Sequence, residues 1–501
     1  MDEKTLLLNS QLLLDKLLVL RKDVYQEGME IFQKWYPLIT RKSFLFSALN
    51  LAFYLALRRR DIRELQLALK PLGLSSLGRS EASAIANLDA VIASLSRVCG
   101  KGAEEGVKYP SIRKFFRGDW ALIRQTKIVF GKSPQNRNVR IMVTLPTEAA
   151  VDYALVKNLL QNGMNVIRIN CAHDDQETWE AMIANLRKAE KKLGVHCKIL
   201  MDLAGTKIRI EKLMIFGEDA KVSIGSLVLL TKGDFNTQQP VEVAVSCNKP
   251  EILGALVIGD AVYIDDGRIE AIVETVLPEG VTIRVLTTKG ARPVRLKPHK
   301  GLNFPSTRVT LPPITEKDRK DLDYIVTVAD AIGYSFVKSA SDIIELQHEL
   351  EQRLGTKMNK LVLVAKIETD DGVNNLPEII VRAASKQPFA VMIARGDLAV
   401  EVGYTRLAEL QEEILWICEA AHVPVIWATQ VLESLVRFGI PSRAEITDAA
   451  MSERAECVML NKGPFVVEAV DILNDILKRM GSHQYKKSPQ LRALNIAKRQ
   501  E

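Results

Sequence analysis

A chain of 501 residues with 47% hydrophobic and 26% charged side chains has the length for two or three domains and the composition of a soluble globular protein. Its 68 basic and 61 acidic residues leave a net charge of +7, but the basic residues fall in short clusters such as Arg58–Arg60 without interleaved aromatics, so small phosphorylated ligands suit the charge better than nucleic acid. Six scattered cysteines (Cys99, Cys171, Cys197, Cys247, Cys418 and Cys457), none in a CxxC pair, argue against a disulfide framework or a structural zinc and point to the cytoplasm.

The opening residues MDEKT lack the basic start of a secretory signal. Residues 1–135 read as helical, with leucines at helical spacing in LLLNSQLLLDKLLVLRKDV. The segment LALRRRDIRELQLALKPLG is expected to form one amphipathic helix stopped by Pro71 and Gly73, and SEASAIANLDAVIASLSRV another started by Ser80. The longest early apolar run, Leu45–Leu57, is shorter than the ~20 residues of a membrane span. The polar faces of these helices mix acid and base, so a bundle, or a contact between copies of the chain in a homo-oligomer, is expected in place of a membrane partner.

From Arg140 the pattern turns to short β-branched runs separated by helical segments. Eight are expected to be strands: RIMVTL, VIRINC, KILMDL, YSFVK, LVLVAKI, AVMIAR, PVIWAT and CVMLN. Eight strand–helix repeats predict an α/β fold, a closed (β/α)8 barrel over residues 136–209 and 301–480. Between the third and fourth runs, residues 210–300 alternate short strands with turns and predict an inserted all-β cap. A basic tail, residues 481–501, closes the chain.

Active sites of such barrels lie at the carboxyl ends of the strands, and polar residues gather at those ends here. They are Arg168 and Asn170 after the second strand, Asp202 after the third, Lys338 after the fourth, Lys366 and Glu368 after the fifth, Arg395 and Asp397 after the sixth, and Thr429 after the seventh. One Lys-x-Glu alone is most often a surface ion pair; agreement among six strands outweighs that reading. Two carboxylates, Glu368 and Asp397, suit a hard divalent cation, Mg2+ or Mn2+, whose other positions go to water and substrate oxygens. Arg168, Lys366 and Arg395 supply fixed positive charge for a transferring phosphoryl group or a developing enolate, and Thr429 offers a hydroxyl for proton positioning. The chain has no Walker motif and no GxGxxG. His173 reads as a hydrogen-bonded positioner, Cys171 as a small buried hydrophobe and Trp427 as packing.

The segments AKIET, ARGDLA, WATQVLES, PSRAEITDAA and VMLN, with NVIRIN, MDLAGTKIR, YIDDG and KGLNFP, resemble the signature segments of the pyruvate kinase family, in the family's order, from about Arg140 to Met480. The resemblance implies a barrel with a lid inserted after the third strand, transferring phosphoryl from phosphoenolpyruvate to ADP to give pyruvate and ATP. It implies that Lys366 stabilises the phosphoryl group and the enolate, that Glu368 and Asp397 bind magnesium, and that Arg168 contacts the phosphoryl group. Thr429 would sit beside the methylene carbon. Asn170, Arg209 and Lys300 would line the nucleotide side, with Arg395 and Gly396 in the substrate-binding set.

The sequence also departs from that family. Where the family binds a monovalent cation, Asp202 and Asn170 remain, but Ala172 and Leu203 replace the hydroxyls, and Lys207 stands where potassium-dependent members have a glutamate. Lys207 beside Asp202 is therefore expected to substitute for the cation, with no potassium requirement. Asn461, Lys462, Gly463 and Pro464 replace Ser-Gly-Glu-Thr after the eighth strand, Ala399 ends the ARGDLG motif, and the loop Thr144–Glu148 reads as one residue short. Only residues 481–501 follow the barrel, where the family continues into a regulatory domain, so the usual sugar-phosphate effector site is not expected. Two other functions suit the residues. One is a catalytically silent regulator binding phosphoenolpyruvate or a nucleotide; the other is an enolate-type lyase, which the water-excluding cap disfavours.

Overall fold

Strands apolar on both faces must be covered on both, which is the condition of a parallel barrel wrapped in helices. The computed structural model describes residues 3–101, 107–233, 235, 237, 239–307 and 311–490, and within them eight such strands close on themselves. They are β1 (Arg140–Thr144), β2 (Val166–Asn170), β3 (Lys198–Asp202), β4 (Ala331–Tyr334), β5 (Val362–Ile367), β6 (Phe389–Ala394), β7 (Val425–Ala428) and β8 (Cys457–Leu460). Each pairs in parallel with the next, and β8 returns to β1 with Cys457 opposite Arg140. Met142, Val166, Leu200, Val364, Met392 and Ile426 share one buried cluster, while the alternate residues Ile141, Ile167, Leu363 and Val391 join a larger core outside it.

Seven strands fall where expected; the fourth does not. YSFVK overlaps β4 only at Tyr334, because Phe336 takes φ +55° and leaves the ladder. The weaker-looking AIGY is the strand because Gly333 permits a close approach: a Cβ there would lie 1.7 Å from Oδ1 of Asp202.

Between β3 and β4 a seven-stranded sheet runs in the order 302–303, 261–264, 269–277, 280–288, 227–231, 243–247 and 210–215. Val228, Val245, Val262, Val273 and Ile283 build a core of its own. This is the inserted β domain, and its last strand, Leu302–Asn303, lies two residues past the expected range.

Helices α1 (Glu3–Trp35), α2 (Leu45–Arg58), α3 (Arg63–Leu69), α4 (Ala84–Val98) and α5 (Arg117–Phe130) precede the barrel. Two helix expectations are corrected. The run Leu55–Gly73 breaks into α2 and α3, with Asp61 accepting from the Arg63 N–H at 3.1 Å. The second starts at Ala84, not beside Ser80, because Oδ1 of Asn50 on α2 caps the Ala84 N–H at 2.9 Å and the Ser80 hydroxyl bonds back to the Leu77 carbonyl. Val129 and Phe130 of α5 join the cluster inside the barrel and close its amino-terminal end. No helix among the described residues is long and apolar enough to cross a membrane.

The amino-terminal helices are fastened to the barrel by polar contacts. Asn50 donates to the Ala420 carbonyl at 2.8 Å, and His422 sits between the Ser47 hydroxyl and the Ala82 carbonyl at 2.9 Å each. After the last barrel helix, a small hairpin (Gln484–Tyr485 with Ser488–Pro489) sends Lys486 to Glu456 and Lys487 to Glu81. The rest of the expected basic tail, residues 491–501, lies outside the described residues.

Candidate active site

A strand that ends while buried must satisfy any charge it carries within the protein. Arg168 near the end of β2 meets Oδ2 of Asp202 at 2.6 Å and the Thr144 hydroxyl at 3.0 Å. Asp202 is fully buried, and its Oδ1 has no hydrogen-bond partner. Lys366 projects from β5 into the same space, with Nζ 2.8 Å from the Ser335 hydroxyl, 3.2 Å from Glu368 and 3.7 Å from Asp202. Ser335 and Phe336 follow β4 directly. The turn that removes them from the ladder brings the Ser335 hydroxyl to Lys366 and the Phe336 N–H to Oε2 of Glu368, at 2.6 Å.

Glu368 and Asp397 interact across this space. Burial lifts the Glu368 carboxyl above its ordinary range, the Asp397 charge adds to that rise, and Lys366 and the Phe336 N–H oppose it. Asp397 is held by Lys207, whose Nζ lies 2.7 Å from Oδ1, with Asp266 of the cap at 3.4 Å. Burial pulls the Lys207 ammonium down, but Asp397 and Asp266 more than offset this, so the net shift is upward and the group stays charged. The expected pairing of Lys207 with Asp202 does not form: no ion pair joins them among the described residues, because Asp202 is taken up by Arg168 and Lys366. Leu203, where the resemblance expects a hydroxyl, is buried in the core.

Three cations and three carboxylates thus meet at the barrel mouth. Among the described residues no group of three or more His, Cys, Asp or Glu side chains is arranged to hold a metal. Two facing carboxylates with hard oxygens fit a magnesium-like ion that takes its remaining ligands from water and substrate.

The other expected residues take different positions. Arg395 does not join the carboxylate pair; it grips Asp448, donates to the Ala428 and Thr429 carbonyls at 3.0 and 2.7 Å, and covers the Trp427 ring at 4.5 Å. Its donors are spent on tying β6 to β7. The Gly396 N–H donates to the Thr429 hydroxyl at 2.8 Å, and Thr429 is held at φ +64°, an uncommon conformation for a β-branched residue. Asn170 lines a cavity of about 210 Å³ with Thr144, Arg168, His173, Arg437 and Lys462. Burial and the charges of Lys462 and Arg209 push the His173 imidazole below its ordinary value. Arg209 and Lys300 lie at the root of the cap, Arg209 on the His299 carbonyl at 2.9 Å and Lys300 on Asp265 at 2.8 Å.

Several participants were not singled out as site residues by the sequence. Ser335 was hidden inside a misplaced strand, and Thr144 and Lys462 stand out only once β1, β2 and β8 are neighbours. Glu401, half-buried and accepting from Asn303 of the cap at 3.4 Å, is pushed up to about 7 mainly by desolvation, and nothing in its local sequence marks it.

The model of the pyruvate kinase barrel domain matches residues 125–470. The chain belongs to the pyruvate kinase family. It is 31% identical to pyruvate kinase 2 of Trypanosoma brucei brucei over 363 residues, which cover 69% of this chain and 67% of that one. It is 32% identical to a pyruvate kinase of Agrobacterium vitis over 361 residues, covering 70% and 71% of the two chains. Among solved structures, a pyruvate kinase from Cryptosporidium parvum superposes with a TM-score of 0.61 at 26% identity, over 71% of this chain and 72% of that one. The family-wide match ends before the last barrel helix does and begins within α5, so α1–α4 lie outside it.

Proposed function

We propose that this pyruvate kinase family member transfers the phosphoryl group of phosphoenolpyruvate to ADP, giving pyruvate and ATP, with Mg2+ or Mn2+ held between Glu368 and Asp397. The observation that carries this reading is Lys366, buried at the barrel mouth within 3.7 Å of both Asp202 and Glu368. Such an ammonium is fixed before the reaction, and fixed charge is worth most where negative charge develops in a site that excludes water. Lys366 then stabilises the transferring group and the enolate, and Arg168, immobilised by Asp202 and Thr144, holds the phosphoryl oxygens. When bound, the divalent ion supplies further charge to the phosphoryl oxygens. Thr429, with its hydroxyl set by the Gly396 N–H, positions the proton that the enolate carbon takes up. The cavity beside Asn170 and His173 receives the nucleotide.

Potassium is not required in this reading. The three carboxylates Asp202, Glu368 and Asp397 already face the three cations Arg168, Lys366 and Lys207. A further monovalent cation would lack the hydroxyls missing at Ala172 and Leu203 and would meet the charges of these three cations. The same charge-balanced mouth, with Lys366 and Glu368 buried in it, supports a working transferase over a silent binder. A coupled assay for pyruvate, run with and without ADP and with a chelator, tests the proposal. Pyruvate formed only with ADP and lost on chelation supports it. Pyruvate without ADP would favour the lyase, and none at all the silent regulator.

A further inference from the structure

Lys207 lies in the connection from β3 to the cap, Asp397 in the first turn of the helix Arg395–Val402 that follows β6, and their 2.7 Å contact spans the barrel mouth. The lysine stem is closely confined: a Cβ on Gly301 would meet its Cε at 2.8 Å. Both side chains are largely enclosed, 15% and 17% exposed, so the attraction between them is only weakly screened. The same carboxylate faces Glu368, and the reading above gives these two carboxylates to a divalent cation. An ammonium and a divalent ion on one carboxylate repel each other and compete for its oxygens.

We propose that Lys207 is a tethered cation that occupies Asp397 until a phosphorylated ligand draws it away, so that anion binding and divalent-cation binding are coupled through this one side chain. The inference rests on the assignment of Glu368 and Asp397 to the metal. The lysine stem has four rotatable bonds' worth of reach, and Asp266 already offers the ammonium a second anchor at 3.4 Å on the cap side. Phosphoryl oxygens arriving between cap and barrel give it a stronger one. Asp397 is then released to the metal, and by linkage each ligand strengthens the other by the same factor.

The test is Mn2+ binding, followed by electron paramagnetic resonance of the free ion, with no ADP and therefore no turnover. Lys207→Met should bind Mn2+ alone roughly tenfold more tightly than the wild-type protein, a size typical of coupling between sites. Lys207→Arg, which keeps a cation, should remain weak. Phosphoenolpyruvate should strengthen Mn2+ binding by a larger factor in the wild type than in Lys207→Met. Lys207→Gln repeats the measurement should the methionine variant fail to fold. Equal Mn2+ affinity in the wild-type, methionine and glutamine proteins overturns the proposal. Glu368→Gln separates the two failures. If that variant loses Mn2+ while Lys207→Met matches the wild type, only the coupling is wrong. If Glu368→Gln binds Mn2+ as well as the wild type, the metal assignment falls and the coupling with it.

Discussion

Lys366 lies 3.2 Å from Glu368 and shares Ser335 and Asp202 as partners, so its position is set from three strand ends at once. Replacing it by methionine should lower turnover by about a hundredfold to a thousandfold, the cost of losing one preorganised charge, while leaving thermal stability near the wild type. A variant keeping more than half of normal turnover would remove Lys366 from the mechanism. Turnover should also be the same in potassium salts and in tetramethylammonium salts at fixed ionic strength; strong stimulation by potassium would contradict the cation balance at the mouth. Much of this site was legible in the sequence. A residue such as Lys366 at the end of an apolar run has only one place to point. The contact of Lys207 with Asp397 was not legible, because it joins residues 190 positions apart and replaces the Asp202 partner that the family resemblance suggested.

At the scale of elements, the strands that could be read were those apolar on both faces, such as Val362–Ile367. β4 could not, since Gly333 is chosen for the approach of Asp202 and the β-branched and aromatic residues lie in the turn after it. The start of α4 was equally hidden, because its cap comes from another helix. The seam between α2 and the barrel gives a prediction of its own. His422 is buried, the Ser47 hydroxyl is at one ring nitrogen and the Ala82 carbonyl at the other, and burial pushes the imidazole down to about 4. A folded-state value below the unfolded one contributes stability above about 6.5 that is lost as pH falls toward 4. The loss should be about 1–3 kcal/mol. Denaturant melts at pH 7 and pH 5 should show this fall in the wild type and a smaller one in His422→Gln. Equal slopes would show that the imidazole does not titrate at this seam.

Across the whole molecule, hydrophobic continuity decides what unfolds together. Leu14, Leu51 and Leu88 of the amino-terminal helices share one core with Ile141, Ile167 and Leu473 of the barrel, whereas the cap keeps a separate core. Scanning calorimetry should therefore show the helices and the barrel melting in one transition. A distinct early transition that hydrogen exchange assigns to α1–α4 would contradict that shared core. The barrel supplies the site, the cap brings Asp266 and Lys300 over it, and the helices brace the opposite end through α5. On the proposed function, these parts serve one chemical event, the passage of phosphorus from enol oxygen to nucleotide. Phosphorus NMR of phosphoenolpyruvate and ADP with magnesium follows that event directly. The phosphoenolpyruvate signal should fall as the three signals of a nucleoside triphosphate rise in equal amount, and Lys366→Met should suppress both changes. Release of inorganic phosphate without triphosphate, or an unchanged spectrum with well-folded protein, would contradict the proposed transfer.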